Sequence, residues 1–326
     1  MKDVNNLPPL MAEGKNSKKR STRGKSFGYQ VLGFGAGGGA APFIEATGGN
    51  SITTSGDFKI HTFTGPGTFC VAGAGTPGGS DTVSYMVVAG GGGGGYFNGA
   101  GGGAGGYREG KAATDCYTAS PLDATSGPTY NLPVSVQGYP ITVGAGGAGN
   151  TITTPGNRRG STGAASVFST ITSAGGGGGG GGAAGGCQGA DGGSGGGGGG
   201  STAKTGGCGN IPPVAPPQGN QGEDTTGATG GTGGGATVAG GTNGGAGAGT
   251  GINPSTCVGT PGPSPSLRYF SGGGGGTAPP SPGGVGGGGP GIPPTCGTAN
   301  TGGGQGGDVA TGNGGSGIVI IRYKYQ

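Results

Sequence analysis

The sequence predicts a mostly irregular, all-β protein with almost no α-helix: a small β-sheet base carries a bundle of packed polyglycine-II helices joined by loops. Three observations support this fold class. Glycine supplies 100 and proline 24 of the 326 residues, and both oppose helix formation. Eight consecutive glycines occupy residues 175–182. Apolar segments with strand-like alternation run directly into several of the glycine runs.

The glycine runs allow two interpretations, a floppy linker or an ordered lattice. Ordering a backbone costs roughly 1–2 kcal/mol per residue, and an apolar content of 29% cannot offset that by burial alone. Side-by-side polyglycine-II helices would add hydrogen bonds between neighbouring backbones. Collagen is excluded because residues 175–182 follow no Gly-X-Y register. The repeated passage from an apolar segment into a glycine run favours the lattice.

The expected β-strands lie at 58–89, 134–143, 166–172 and 318–325, with polyglycine-II runs between them. Within the third region we expect a strand at 167–171, and within the second a strand at 134–137 followed by another at 141–143. The last strand, IVIIRYKY, places Ile318, Ile320 and Arg322 on one face. We expect these strands to form one small sheet or sandwich at the base of the bundle. Together they define a glycine-rich domain over residues 51–326.

Residues 1–50 are expected to form a separate basic arm and docking segment. Seven of the 16 lysines and arginines fall within residues 1–25. The anchor candidates are Lys15, Lys18, Lys19, Arg20, Arg23 and Lys25. Such a cluster is typical of an anchor on an acidic surface or of a solvated tail. The chain has no apolar run long enough to cross a membrane and no signal-peptide core at residues 1–10, so we expect neither membrane insertion nor the usual secretory export.

No catalytic, cofactor or metal site is predicted, and we expect a non-enzymatic protein. The only histidine, His61, falls in a predicted strand and lacks a triad motif. The acidic residues Asp191, Glu223, Asp224 and Asp308 are expected to be solvated. No glycine motif opens a helix as a dinucleotide site requires.

The six cysteines contain no CxxC pair, which argues against zinc. Two disulfides between sequence neighbours, Cys187 with Cys208 and Cys257 with Cys296, would staple glycine-rich loops. Reduced thiols are the alternative. Connectivity does not follow from sequence.

Four segments in this order, Tyr85–Gly95, Ala100–Gly110, Ile141–Gly149 and Gly314–Tyr323, give the chain a family resemblance. From about Asp57 to Gln326 it resembles the glycine-rich domain of bacteriophage tail-fibre-like proteins, notably from marine phages. It is more loosely similar to the tip adhesins of T-even-type phages, which stack polyglycine-II helices and bind the host receptor through loops. The resemblance implies a virion structural or receptor-binding role and brings no catalytic residues. The six cysteines and the basic arm depart from it.

The leading hypothesis is therefore a virion tail fibre or adhesin that contributes to host attachment. It would be made in the host cytoplasm, be anchored to other virion proteins by the arm, and act outside the cell. Expected partners are a host-surface glycan or outer-membrane protein, and a homotrimer is one expected assembly. The candidate binding aromatics are Tyr96, Phe97, Tyr269 and Phe270, with packing on the lattice ends as the alternative. The competing functions are a capsid decoration or head-fibre protein and a disulfide-stapled ice-binding or extracellular structural protein.

Overall fold

The structure is a computed structural model that describes residues 42–127, 129–151, 158–182, 187–277, 281–308 and 312–326. In these residues the chain is all-β and contains no helix. The strands in chain order are β1 Ile44–Thr47, β2 Ser51–Ser55, β3 Phe58–Phe63, β4 Gly67–Ala74, β5 Thr82–Val88, β6 Tyr107–Gly110, β7 Leu132–Pro133, β8 Gly138–Thr142, β9 Ser166–Phe168, β10 Ile171–Ser173, β11 Ala248–Thr250, β12 Arg268–Phe270 and β13 Ile318–Lys324.

Residues 42–326 form one compact unit. The predicted anchor residues within 1–41 lie outside the described residues. The end of the predicted docking segment does not, because β1 belongs to the compact unit, where it pairs antiparallel with β4.

Two antiparallel sheets form the base of this unit. One has the order β1-β4-β8-β9-β10 and the other β2-β3-β13-β5-β6, with β7 paired to β5. The C-terminal strand β13 lies between β3 and β5, where Ile320 is opposite Thr62 on one side and Met86 on the other. Strand β13 thus completes the centre of a sheet whose other strands all come from residues 51–133.

The two sheets pack face to face around an aromatic core. Phe69 and Phe168 of the five-stranded sheet meet Tyr85 and Tyr323 of the six-stranded sheet, and all four are buried. The ring centroids of Phe69 and Tyr323 are 6.1 Å apart and those of Tyr85 and Phe168 are 6.3 Å apart, both in edge-on geometry. Burial of each large side chain contributes about 1.5–3 kcal/mol.

The other face of the six-stranded sheet is also covered. Ile60, Met86 and Ile320 pack there against Ile252 and Phe270, which come from the region around the β11-β12 ribbon. Strands β5 and β13 are consequently buried on both faces. This explains why their sequences are almost continuously apolar rather than alternating.

Glycine-rich segments leave the sandwich and return to it as extended passages, which we call rods. After β5, residues 90–95 run outward, the chain turns at 96–98, and residues 99–106 return to β6. Described rods also lie between β8 and β9 and between β10 and β13. Further rods are formed by residues 144–150, 158–165, 174–182, 187–193, 194–200, 204–208, 230–236, 271–277, 302–307 and 312–317.

The hydrogen bonds of the rods have a period of three. In the rod at 99–106 every third backbone N–H donates to the same neighbouring rod. Ala100, Gly103 and Gly106 donate to Gly180, Gly177 and Ala174; Gly101 and Ala104 to Gly231 and Gly234; Gly102 and Gly105 to Gln305 and Gly302, all at 2.8–2.9 Å. Its carbonyl groups accept from the rods at 90–95, 194–200 and 271–277. This central rod is therefore hydrogen-bonded to six neighbours.

Close packing explains the choice of glycine in the rods. A Cβ built at any of the eight glycines of 175–182 would lie within 3.0 Å of an atom of another segment, a separation that real Cβ atoms essentially never show. At Gly179 the obstructing groups are the carbonyl of Ala100 and the oxygen of Gly101. Buried alanines occur only at selected positions, such as Ala100 and Ala104.

Two strand predictions are corrected by local backbone geometry. Residues 134–137 form a loop, because the Ser135 N–H donates to the hydroxyl of Tyr139 at 2.8 Å instead of joining a ladder. The predicted strand at 166–172 is a hairpin of β9 and β10, since the chain reverses at Ser169, whose φ is 54°. The predictions at 58–89 and 318–325 are confirmed by β3, β4, β5 and β13.

Candidate functional site

The far end of the bundle, opposite the sandwich, brings several turns together. We call it the distal end. The turn at 96–98 connects the segments at this end. The Tyr96 N–H donates to the Arg158 carbonyl at 3.0 Å, and the Tyr96 carbonyl accepts from Gly182 N–H at 3.1 Å. The Asn98 carbonyl likewise accepts from Gly200 N–H at 3.1 Å. Four chain segments thus end at one surface.

An aromatic shelf stands on this surface, formed by Tyr96, Phe97 and Arg158. Phe97 is 49% exposed and its ring centroid is 6.4 Å from that of Tyr96. The Arg158 guanidinium carbon lies 5.5 Å from the Phe97 ring and 5.9 Å from the Tyr96 ring, within cation–π range. Arg158 is itself buried, so these contacts tie both rings to the body of the bundle.

The turn that carries the shelf has an unusual backbone. Phe97 and Asn98 have φ values of 57° and 52°, a left-handed conformation that is uncommon for residues other than glycine. The Asn98 N–H donates to Asp308 Oδ1 at 3.3 Å. The surrounding rods hold Phe97 in an exposed position that the chain alone would not favour.

Four acidic residues join rods or turns by accepting backbone N–H groups. Asp191 accepts from Cys208 at 2.7 Å, Glu223 from Thr232 at 2.9 Å, Asp224 from Gly206 at 2.8 Å, and Asp308 from Asn98. The sequence predicts only solvation for these residues. In the structure their carboxylates also connect neighbouring segments at the ends and edges of the bundle.

The other two candidate aromatics lie at the sandwich rather than at the distal end. Phe270 is 1% exposed and packs in the core beneath the six-stranded sheet with Ile318. Tyr269 is half-buried and its hydroxyl accepts from Ser264 N–H at 3.2 Å. Phe270 is therefore a core residue inaccessible to a partner, and the four predicted aromatics do not form one site.

Neither suggested disulfide is present. Cys208, Cys257 and Cys296 are exposed free thiols, and Cys187 is half-buried. The Cys208 carbonyl accepts from the N–H of Gly192 at 3.1 Å, and Gly192 lies on the same rod as Cys187. Cys187 is five residues from Gly192, or roughly 15 Å along the rod at about 3.1 Å per residue. Since a disulfide requires Cα atoms within about 7 Å, Cys208 is too far from Cys187 to form one.

A buried ionic network that the sequence did not predict lies beneath the six-stranded sheet. Arg322 Nε is 3.0 Å from both carboxylate oxygens of Asp115, and Ser84 donates to the same carboxylate at 2.8 Å. Nearby, Glu109 accepts from the hydroxyl groups of Tyr107 at 2.7 Å and Thr250 at 2.6 Å. Burial and the adjacent carboxylate raise the pKa of Tyr107 well above its usual value. These partners occupy the carboxylates, so the network is structural.

His61 is also a structural residue. It is fully buried, its Nδ1–H donates to the Gly48 carbonyl at 2.6 Å, and its Nε2 accepts from the Tyr323 hydroxyl at 3.1 Å. Burial lowers the pKa of His61 and raises that of Tyr323 to about 12. The imidazole is thus neutral, with both nitrogens engaged.

Two further findings concern membranes and metals. The described part of the chain has no helix long and apolar enough to span a bilayer. The same residues hold no group of three or more histidine, cysteine or acidic side chains placed to bind a metal ion.

Comparison with known proteins gives a family. A sequence model described as a glycine-rich domain matches residues 64–324, from the loop after β3 to the last residue of β13 and including all the rods. A search of curated proteins gave no match. Since the matched range covers most of the chain, the protein belongs to this glycine-rich domain family.

Proposed function

We propose that this protein is a non-enzymatic structural component of a bacteriophage virion, a tail fibre or adhesin whose distal end contributes to host-surface recognition. We also propose that its rods are polyglycine-II helices. The hydrogen-bond period of three and the six neighbours of the central rod support the second proposal, because that helix has three residues per turn and no internal hydrogen bonds.

The observation that carries the functional proposal is the exposed aromatic shelf. Phe97 presents half of its surface to solvent at the tip of a tightly hydrogen-bonded bundle. Aromatic side chains give large contact areas at low entropic cost. A rigid support lowers the cost of binding further, because little conformational entropy is lost when a partner docks. Rigid scaffold and exposed turns are the common arrangement of recognition surfaces.

Lys15, Lys18, Lys19, Arg20, Arg23 and Lys25 would anchor the chain to acidic surfaces of other virion proteins. The distal end would contact a host-surface glycan or an outer-membrane protein. The protein would act on the particle outside the cell, alone or as a homotrimer.

The test is binding of the fluorescently labelled full chain to a panel of intact bacterial cells. If the proposal holds, the wild-type chain binds one of the strains, and Phe97→Ala reduces binding at least about tenfold, as for a central aromatic contact. Val136→Ala is the matched control, since Val136 is 64% exposed on the sandwich. Equal loss in both variants, or binding to no strain, contradicts an adhesin role. Immunogold label on the particle head would contradict the tail assignment.

A further inference from the structure

A hollow lined mainly by polar residues lies near the aromatic shelf, since Arg159 Nε–H, next to the shelf residue Arg158, donates to the carbonyl of the lining residue Gln188 at 2.9 Å; we call it the distal bowl. It is open to solvent and has a volume of about 350 Å³. Its lining residues are Gln188, Ala203, Lys204, Thr205, Asp224, Thr225 and Thr226. We propose that the distal bowl is a binding subsite for a neutral saccharide unit. The biological meaning of this inference rests on the proposed function, but binding itself can be measured separately.

The floor of the bowl is fixed before any ligand arrives. Lys204 and Thr225 exchange two backbone hydrogen bonds of 3.0 and 2.8 Å, and the Thr225 hydroxyl donates to the Gly199 carbonyl at 3.1 Å. Asp224 Oδ1 accepts from Gly206 N–H, which fixes the carboxylate. A preorganised floor reduces the entropy lost on binding.

The walls of the bowl offer hydrogen-bonding groups that the protein leaves unused. Within the described residues, no hydrogen bond or ion pair engages the Lys204 ammonium, the Thr205 and Thr226 hydroxyls or Asp224 Oδ2. The ammonium is a donor, the carboxylate oxygen an acceptor, and each hydroxyl serves as either. A ring carrying several hydroxyl groups complements this mixture.

The charges of the bowl favour a neutral ligand over an anionic one. One cation, Lys204, and one carboxylate, Asp224, line it. These two groups form no ion pair within the described part of the chain, so ligand hydroxyls can lie between them. A phosphate or carboxylate on the ligand would gain from Lys204 but be repelled by Asp224. The lining also lacks an aromatic or large aliphatic side chain, which argues against lipid.

Backbone hydrogen bonds connect the segments that carry the shelf and the bowl. The Asn98 carbonyl, next to the shelf, accepts from Gly200 N–H. One residue later, Ser201 N–H donates to the Gly227 carbonyl at 3.1 Å, in the loop that follows the bowl residue Thr226. An extended glycan can thus place one unit against Phe97 and another in the bowl.

The test uses the full chain and saturation-transfer NMR with defined probes. The probes are the methyl glycosides of glucose, galactose, mannose and N-acetylglucosamine, with methyl glucuronoside as the anionic comparison. We expect at least one neutral probe to bind. Lys204→Gln and Asp224→Asn should each weaken that binding about tenfold or more, as for loss of a charge-assisted hydrogen bond.

Asp191→Asn is the matched control. Asp191 also accepts a backbone N–H from a neighbouring rod, but it does not line the bowl. Its variant should bind the probe like the wild type, whereas equal loss in Asp191→Asn and Asp224→Asn would indicate a structural effect and overturn the subsite. Binding of none of the neutral probes, or preference for the glucuronoside, would also overturn it.

Cell binding separates this inference from the proposed function. If Phe97→Ala abolishes cell binding while the bowl variants bind cells and probes normally, the saccharide subsite is refuted and the adhesin role stands. If a neutral probe binds in the bowl but the full chain binds no cells, the subsite stands and the adhesin role fails.

Discussion

Replacing Gly179 with alanine places a methyl group against the central rod of the bundle. The new Cβ would come within 3.0 Å of the Ala100 carbonyl and the Gly101 oxygen. Both groups belong to the rod at 99–106, which six neighbours hold in place. The obstacle is therefore backbone that cannot rotate away, unlike the end of a flexible side chain.

The expected destabilisation follows from three terms. Overpacking of a dense interior costs about 1–3 kcal/mol. Displacement of the rod weakens two hydrogen bonds, from Ala100 N–H to Gly180 O at 2.8 Å and from Gly179 N–H to Gly93 O at 2.9 Å, at about 1 kcal/mol each. Alanine recovers about 0.4–1 kcal/mol by restricting the unfolded chain. We expect a net loss of about 3 kcal/mol in the free energy of unfolding, or roughly 5 °C in Tm for a compact unit of this size.

The assay is thermal unfolding of the full chain, followed by circular dichroism and calorimetry. Gly241→Ala is the control, because a Cβ at Gly241 meets nothing within 4 Å and its φ is not left-handed. Its Tm should stay within about 2 °C of the wild type. Equal Tm values for the two variants would refute the argument that glycine is required for close packing in the rods.

Three other outcomes are expected. Arg322→Met should lower the free energy of unfolding by about 3–5 kcal/mol because it leaves the buried Asp115 carboxylate without its cation. Adding Asp115→Leu should restore most of the lost stability. Chemical denaturation that shows no recovery in the double variant would contradict this account of the ion pair. Since burial lowers the pKa of His61, the unfolded state binds more protons below about pH 6.5, so stability should fall as the pH drops below that value. His61→Gln should reduce this dependence of the unfolding free energy on pH. An unchanged dependence would show that His61 is not its source. The amides of Gly177 and Gly180, bonded to the Ser194 and Gly197 carbonyls, should exchange slowly with deuterium; fast exchange would mean that the rods are not ordered.

The sequence was most informative where one residue type or a strongly apolar run determines the backbone. The strand at 318–325 and the strands within 58–89 could be predicted because their apolar pattern is strong. That the glycine runs are ordered could be predicted from energetics, because only a shared lattice supplies enough hydrogen bonds to offset the entropy lost on ordering the backbone. Short strands such as β7 and β11 could not be predicted, since two or three residues carry no periodicity.

The candidate site was only partly predictable. Tyr96 and Phe97 follow a glycine run directly, and this placed them at a rod end. Phe270 lies one residue before a glycine run, but that run begins at the sandwich, and the direction of a rod is not visible in the local sequence. The distal bowl depends on Lys204 and Asp224, which are 20 residues apart in sequence and line one hollow because the backbones of Lys204 and Thr225 are paired.

The period of three in the rods also limits how such a chain can change in length. Every third N–H of the central rod faces the same neighbour, so removing one residue would rotate all later donors by about a third of a turn, towards a different neighbour. Removing three residues would shorten the rod by roughly 9 Å and keep every donor facing its original partner. Insertions and deletions within rods are therefore expected only in multiples of three.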